Sequence, residues 1–398
     1  MTERLYLRDP YLVTFSARVT SSAEAAGRPA VVLDRSAFYP EGGGQPADRG
    51  TLGEARVLDV QEQGAEVLHV LDRPLPPGAQ VDGRIDWERR FDHVQQHHGQ
   101  HLLSAAFERV LGAATVSFHL GDRTCTIDVD ASISKLDDAA LRAAESAANL
   151  TVWRNLPVVA RDFSAEERAR LTLRKEPAKG DRVVVVEGVD ASPCGGTHPA
   201  RTGEVGSIAI LGAQKWGGGA SRVEFICGAR VVKLLAEQGR WLAGAASALK
   251  SAPREVAESA RRVADESVRR RKLAEQLERE LSSSRAAELA AGGSPLVVKV
   301  ERASFARSLA GALAERGAVA LVAAVEDGRA HLCFARPKGA AAPPMNDLLR
   351  EVLQVIGGKG GGSADFAQGS GEPARLDEAL AAASARIQPS SPSRTTPP

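Results

Sequence analysis

Two short segments hold the side chains best suited to chemistry: His97-His98-Gly99-Gln100-His101, and Cys194-Gly195-Gly196-Thr197-His198 almost a hundred residues later. Imidazoles four residues apart on a helix stack on one face and can reach one ion. In the second segment the glycines free the backbone, so that Cys194 and His198 can curl onto the same point. Three imidazoles and a thiolate form a ligand set that suits Zn²⁺ better than a hard cation. The helical pair is not unique, because His93, His97 and His101 form a continuous stripe and His93/His97 satisfies the same spacing. A protease of the His-Glu-x-x-His type is excluded, because His98 stands where the general-base glutamate belongs. Four protein ligands fill a tetrahedron, an arrangement that fits a structural site as well as a functional one.

The elements that must position these residues follow from periodicity. Residues 3–86 alternate short β-like runs with glycine- and proline-marked turns, which predicts a small antiparallel β-barrel or sandwich. Residues 87–112 switch to helical periodicity, with Phe91, Val94, Leu102, Ala105 and Val110 near one broad face. Strands in TVSFHLG and TCTIDVD, a helix over 137–155 and further strands in PVVARDF, RVVVVEGV, VGSIAILG and RVEFICG make this middle region α+β. Residues 229–292 predict two long helices broken at Ser251-Ala252-Pro253, arranged as an antiparallel hairpin. A β/α unit follows, with strands in PLVVKVE, GAVALVAAVE and AHLCFARP and helices near 303–316, 345–356 and 375–387. The glycine run Gly357-Gly358-Lys359-Gly360-Gly361-Gly362 is a loop that could cradle a phosphate, although it lacks the Lys-Ser/Thr of a nucleotide-binding P-loop. The terminal PSSPSRTTPP is expected to be disordered.

Composition bounds the class. The 398 residues are 43% hydrophobic and 25% charged, values ordinary for a soluble globular protein of two or three domains. No apolar run is long enough to span a membrane and the N-terminus lacks a signal core, so a cytoplasmic protein is expected. Cys125, Cys194, Cys227 and Cys333 are too scattered for a disulfide framework. The net charge of +1 supplies no overall attraction to nucleic acid, so any RNA contact must come from local clusters.

Four segments together resemble the editing domains of alanyl-tRNA synthetase and their free-standing relatives, the AlaX proteins. Phe38-Tyr39-Pro40-Glu41-Gly42-Gly43-Gly44-Gln45, with Asp48 and Gly50, is similar to the FYPxxGGQxxDxG motif. His97 to Ser104 resembles the HxxxHLL helix, which selects His97/His101 as the helical pair. Cys194 to His198 matches the second zinc motif, and Lys215 with Arg222-Val223-Glu224-Phe225 resembles the strand that closes the domain. Residues 357–371 resemble the glycine-rich signature of the DHHA1 domain. The chain starts at the editing barrel, which is the pattern of a long-form AlaX protein acting in trans rather than of a synthetase.

The resemblance implies an α+β protein with five parts: an N-terminal β-barrel (1–90), a zinc-binding editing core (91–229), a helical hairpin (230–293), an α/β DHHA1-like domain (294–388) and a disordered tail (389–398). It implies a Zn²⁺-dependent hydrolase that deacylates mischarged Ser-tRNA(Ala), and secondarily Gly-tRNA(Ala). Editing of Ser-tRNA(Thr) and a non-catalytic tRNA-binding role are the alternatives. The metal ligands are then His97, His101, Cys194 and His198. Gln45 is the favoured catalytic group, orienting water beside the metal, and Glu41 is a weaker general base. Gly43, Gly44, Thr197, Lys215 and Arg222 are expected to bind substrate, with Trp216 stacking on a base and Lys359 touching tRNA. A homodimer through the C-terminal region is also expected. Two departures stand out: His98 replaces a small residue, where it could crowd the pocket or add a proton-transfer group but reads first as a solvated surface histidine, and Ser363-Ala364 replaces a more basic, proline-containing stretch.

Overall fold

The computed structural model describes residues 1–175 and 180–387, so the tail expected to be disordered lies outside the described residues. The architecture is mixed α+β, with eight α-helices among the described residues. The chain divides into two compact units, Met1–Gly244 and Ala245–Pro398.

In the first unit, six antiparallel strands close on themselves. Their order is Thr14–Ala25, Arg28–Leu33, Glu66–Leu71, Ala55–Gln63, Gly50–Leu52 and Gln80–Ile85, the last pairing with the first. Alternate side chains of these strands, including Phe15, Val19, Leu33, Leu52, Val60 and Leu71, fill the interior. Phe38, from the loop before Gly50, joins them with no exposed surface.

Helix α1 (Trp87–Leu111) starts at an Asp86 cap whose side chain accepts from the Arg89 N–H, and ends at the left-handed Gly112. The expectation of one apolar face fails here. Every residue from His93 to Phe107 is buried, whereas Phe91 is half-buried and Val110 lies 39% exposed. The helix is central rather than peripheral, so its polar residues are buried too and must find partners. Its apolar C-terminal half, Leu102 to Phe107, packs with helix α2 (Asp138–Trp153) and a four-stranded antiparallel sheet. That sheet runs Ile208–Lys215, Ser221–Cys227, Cys125–Val129, Thr115–Leu120. A three-stranded sheet, Val159–Asp162, Arg182–Val186 and Asp190–Pro193, carries the chain into the second histidine segment. The short helix α3 (Ala165–Ala169) is held by a Ser164/Glu167 capping box.

Helices α4 (Ala229–Leu249) and α5 (Val256–Ala290) occupy the two long periodic stretches, with Pro253 opening a short turn between them. The basic run Arg269–Lys272 lies exposed on α5, with Arg270 paired to Glu266 one turn back.

The second unit centres on a five-stranded sheet in the order Leu296–Val300, Ala320–Glu326, Arg329–Ala335, Phe366–Gly371, Lys359–Gly362. Leu321, Ala323, Leu332 and Phe334 face helices α7 (Met345–Val355) and α8 (Leu376–Ile387). Ala320, Val322, Ala324 and Cys333 face helix α6 (Ala303–Glu315) and Ala286 of α5. A sheet covered on both faces explains the unbroken apolar run in residues 320–325. The glycine run expected as a loop is instead an exposed edge strand, Lys359–Gly362, paired along Phe366–Gly371. Glycine disfavours strands by intrinsic preference, and here the cross-strand pairing overrides that preference.

His69 in the barrel wall is fully buried between Ser36 Oγ, 2.7 Å from Nε2, and the Val31 carbonyl, 3.3 Å from Nδ1. Burial pushes its pKa down from 6.5 to about 4. Because the unfolded chain takes up the proton first, stability is full above about pH 6.5 and falls as pH drops toward 4. The loss is about 3 kcal/mol. Denaturant unfolding across this range should show that slope in wild type and a shallower one in His69→Asn; equal slopes would contradict it.

Candidate metal centre

The loop before Gly50 folds back sharply: Gly42 and Gln45 exchange backbone hydrogen bonds of 3.1 and 3.0 Å. Gly43 and Gly44 between them sit at φ +53° and +79°, a turn that needs glycine at both places. The turn is anchored from behind. Asp48, fully buried, accepts from the Tyr39 N–H at 2.6 Å and from Arg90 Nε of α1 at 3.0 Å. Arg90, equally buried, also donates to the carbonyls of Pro10 and Ala37. This ion pair fixes the loop against the helix that bears His97 and His101.

The second segment enters from the strand Asp190–Pro193. The Arg182 guanidinium donates to the carbonyls of Cys194 and Gly196 at 2.7 and 2.9 Å, which shapes the turn. Gly196 lies against the His97 ring: a Cβ there would stand 2.1 Å from Cε1, so any other residue would push the ring away.

The ligand atoms of His97, His101, Cys194 and His198 all lie within 4.8 Å of one another. Cys194 Sγ is 3.3 Å from His97 Nε2 and 3.2 Å from His198 Nε2. A tetrahedral Zn²⁺ with ordinary bond lengths sets its ligand atoms about 3.3–3.6 Å apart, so the residues fit that ion. His93, the alternative partner by spacing, lies outside this group, with Nε2 4.0 Å from Asp122.

Electrostatics favours the thiolate form of Cys194 and the neutral form of His198. Burial alone would raise the Cys194 thiol, but His97 and His198 and the hydrogen bonds from His101 and His198 outweigh it and hold the thiol well below its usual range. Burial holds His198 down to about 3, hence neutral. For His101 burial also opposes charge, but Asp190 and Cys194 dominate and hold its pKa up, at about 8. Asp190 lies below the usual carboxylate range because His101 and Arg174 outweigh its burial.

Each of the three imidazoles is held at its other nitrogen. His97 Nδ1 is 2.7 Å from Gln45 Oε1, His101 Nδ1 is 3.2 Å from Asp190 Oδ2, and His198 Nδ1 is 3.1 Å from His98 Nδ1. Asp190 is itself braced by Arg174 at 2.8 Å and Ser192 at 3.0 Å.

A cavity of about 640 Å³ opens beside His101 and Cys194. Gly42–Gly44 and Tyr39 form one wall, Phe118, Thr115 and Gln100 another, and Arg4, Lys175 and Arg182 lie around the rest.

Comparison with known proteins places the chain in a family. Three family models match: tRNA synthetases class II (A) over residues 12–89, the threonyl and alanyl tRNA synthetase second additional domain over 182–224, and the DHHA1 domain over 297–388. The alanyl-tRNA editing protein AlaX-L of Pyrococcus horikoshii is 32% identical over 388 residues, covering 93% of this chain and 94% of that protein. The chain belongs to the long-form AlaX family. The alanine–tRNA ligase of Methanopyrus kandleri is 34% identical over 93% of this chain, which spans 43% of the ligase, less than half its length. The alanyl-tRNA editing protein Aarsd1 of Rattus norvegicus is 40% identical over 51% of this chain and 50% of its own.

In this AlaX chain the remaining expected residues scatter. Gln45 is fully buried, and its amide is engaged at both ends: Oε1 accepts from His97 and the Thr197 N–H (3.1 Å), while Nε2 donates to Thr197 Oγ1 at 2.8 Å. Thr197 is thereby a buried brace, whereas Gly43 and Gly44 do line the cavity. Glu41 is exposed. Arg222 is paired with Asp128 through two bonds of 2.7 and 2.8 Å, and its guanidinium lies 3.3 Å over the Trp216 ring. Lys215, Trp216 and Arg222 are not among the cavity-lining residues, and Lys359 lies on the edge strand of the second unit. His98 is not a surface residue: it is fully buried, because α1 is enclosed on every side at that height. Asp190, Arg174, Arg182, Gln100 and Phe118 escape sequence reasoning, having no diagnostic spacing.

Removing one partner of a buried pair leaves the other charge uncompensated. Asp48→Ala should cost about 3–5 kcal/mol of unfolding free energy, read by denaturant titration. A loss below about 1 kcal/mol would contradict the anchoring role.

Proposed function

We propose that the chain hydrolyses the ester joining a wrong amino acid to the 3′-terminal adenosine of tRNA(Ala), serine first and glycine second. The observation that carries this reading is the cavity beside the His97/His101/Cys194/His198 cluster, walled by the backbone of Gly42–Gly44. Its volume suits an aminoacyl adenosine. The names of the AlaX-L and Aarsd1 relatives support alanyl-tRNA editing as the process.

Zn²⁺ is the ion this donor set favours, and when bound it would supply Lewis-acid character at the head of the cavity. The chain's own residues do the rest. Gly43 and Gly44 offer backbone N–H groups on the wall, placed to stabilise the oxyanion that forms when water attacks the ester. Gln45 holds His97 and Thr197 in place, which assigns it a positioning role rather than the water-orienting one its motif implies. Glu41 keeps only a remote claim as general base, because it is exposed.

Selection of serine falls to the polar end of the cavity. Gln100 Nε2 donates to Ser104 Oγ at 2.8 Å, and Thr115 Oγ1 to the same oxygen at 2.7 Å. The Gln100 carbonyl and the Thr115 hydroxyl then remain to accept from the substrate hydroxyl, and alanine would leave them unpaired. Arg4 and Lys175 at the rim would meet acceptor-end phosphates, while Lys215, Trp216 and Lys359 remain candidates for more distant tRNA contacts.

Deacylation of Ser-tRNA(Ala), Gly-tRNA(Ala), Ala-tRNA(Ala) and Ser-tRNA(Thr) tests the reading. Ser-tRNA(Ala) should be cleaved roughly 100-fold or more faster than Ala-tRNA(Ala), and Cys194→Ala should abolish most of that activity. Equal rates on serine and alanine, or a preference for Ser-tRNA(Thr), would overturn it. Inactivity on all four with tRNA binding retained would establish a binding module instead.

A further inference from the structure

The three imidazoles of the cluster differ in what holds them. Gln45 Oε1 and the Asp190 carboxylate can only accept, so each draws the proton of its histidine to Nδ1 and leaves Nε2 as the atom free to ligate. His198 has no such partner. Its Nδ1 faces another imidazole, His98 Nδ1, at 3.1 Å. Of two nitrogens facing each other at this distance, one must carry the proton and the other the lone pair.

We propose that His98 is a positioning residue, whose Nδ1 lone pair accepts the Nδ1–H of His198 and so fixes the ring and tautomer that present His198 Nε2 to the metal. This rests on the reading that the cluster holds Zn²⁺. If Nε2 of a neutral His198 is the ligand, its proton sits on Nδ1 and His98 must accept it. The proton of His98 is then on Nε2. That atom is enclosed and has no hydrogen-bond partner among the described residues. A buried donor left unpaired is a stability liability. A residue chosen only for packing would not carry one, so the hydrogen bond to His198 is what the imidazole supplies. His98 therefore completes a set in which Gln45, Asp190 and His98, from three separate parts of the chain, each hold one ligand ring.

The experiment compares wild type with His98→Phe and His98→Leu, which fill space without an acceptor, and with His98→Asn, which returns an amide oxygen near the place of Nδ1. Zn²⁺ affinity is read by competition with a chromophoric chelator, and ligand geometry by the visible absorption of the Co²⁺-loaded protein. Circular dichroism melting of the metal-free proteins controls for folding. The expected result is a loss of Zn²⁺ affinity of about 10- to 100-fold in the Phe and Leu variants, with an altered Co²⁺ spectrum. Their metal-free melting temperatures should be unchanged or raised, and His98→Asn should recover most of the affinity. Wild-type affinity in both acceptor-free variants would overturn the role, as would equal losses in Asn, Phe and Leu or a loss that tracks lowered metal-free stability. Failure of wild type itself to bind Zn²⁺ at one equivalent would instead overturn the metal reading, and the role of His98 with it.

Discussion

The buried pair between Arg90 and Asp48 is the constraint on which the site depends. Neither side chain has exposed surface, and each makes further bonds: Arg90 to the carbonyls of Pro10 and Ala37, Asp48 to the Tyr39 amide. A buried ion pair seldom adds much net stability, because desolvation offsets the Coulombic gain. What it does here is specify position. Arg90 lies two turns before His97 on α1, and Asp48 lies three residues after Gln45, so the pair sets the register between the turn and the helix. The 2.7 Å contact from Gln45 to His97 follows from that register.

From this anchor the polar interior of α1 becomes intelligible. Gln95 reaches the Glu204 carbonyl, Gln96 the backbone of Cys227, His97 Gln45, His98 His198 and His101 Asp190. Each bond joins α1 to a different stretch of chain, so the helix acts as a spine to which the loops are tied one by one. Such a network gains strength from being fully satisfied. Among the described residues the Nε2 of His98 is a place where it is not, one residue from His97 of the cluster.

The same logic separates the residues that face the cavity from those that support it. Gln45 and Thr197 come from motifs whose spacing points to chemistry, yet their hydrogen-bonding groups are satisfied by each other and by His97. Gln100, Thr115, Gly43 and Gly44, by contrast, line the cavity. Arg222 shows the converse. It stands close in sequence to the second histidine segment, but the antiparallel register sets it directly opposite Asp128, which takes up its guanidinium.

Much of the protein was legible in the amino-acid sequence. The helices expected at 87–112 and near 345–356 and the alternating strands near the N-terminus are present, although the single apolar face read for the first helix is not, because local side-chain spacing marks an element but not what surrounds it. The four residues of the His/Cys cluster were legible because imidazole and thiolate at i, i+4 are chemically distinctive, and the structure brings them together. Only the tertiary structure decided which residues hold their rings. Asp190 meets His101 across 89 residues, Gln45 meets His97 across 52, and His98 meets His198 across 100. Contacts at such separations leave no periodic trace. The burial of His98 and the edge strand at Lys359–Gly362 were equally hidden: both arise from what packs alongside a segment, and local sequence does not encode its neighbours.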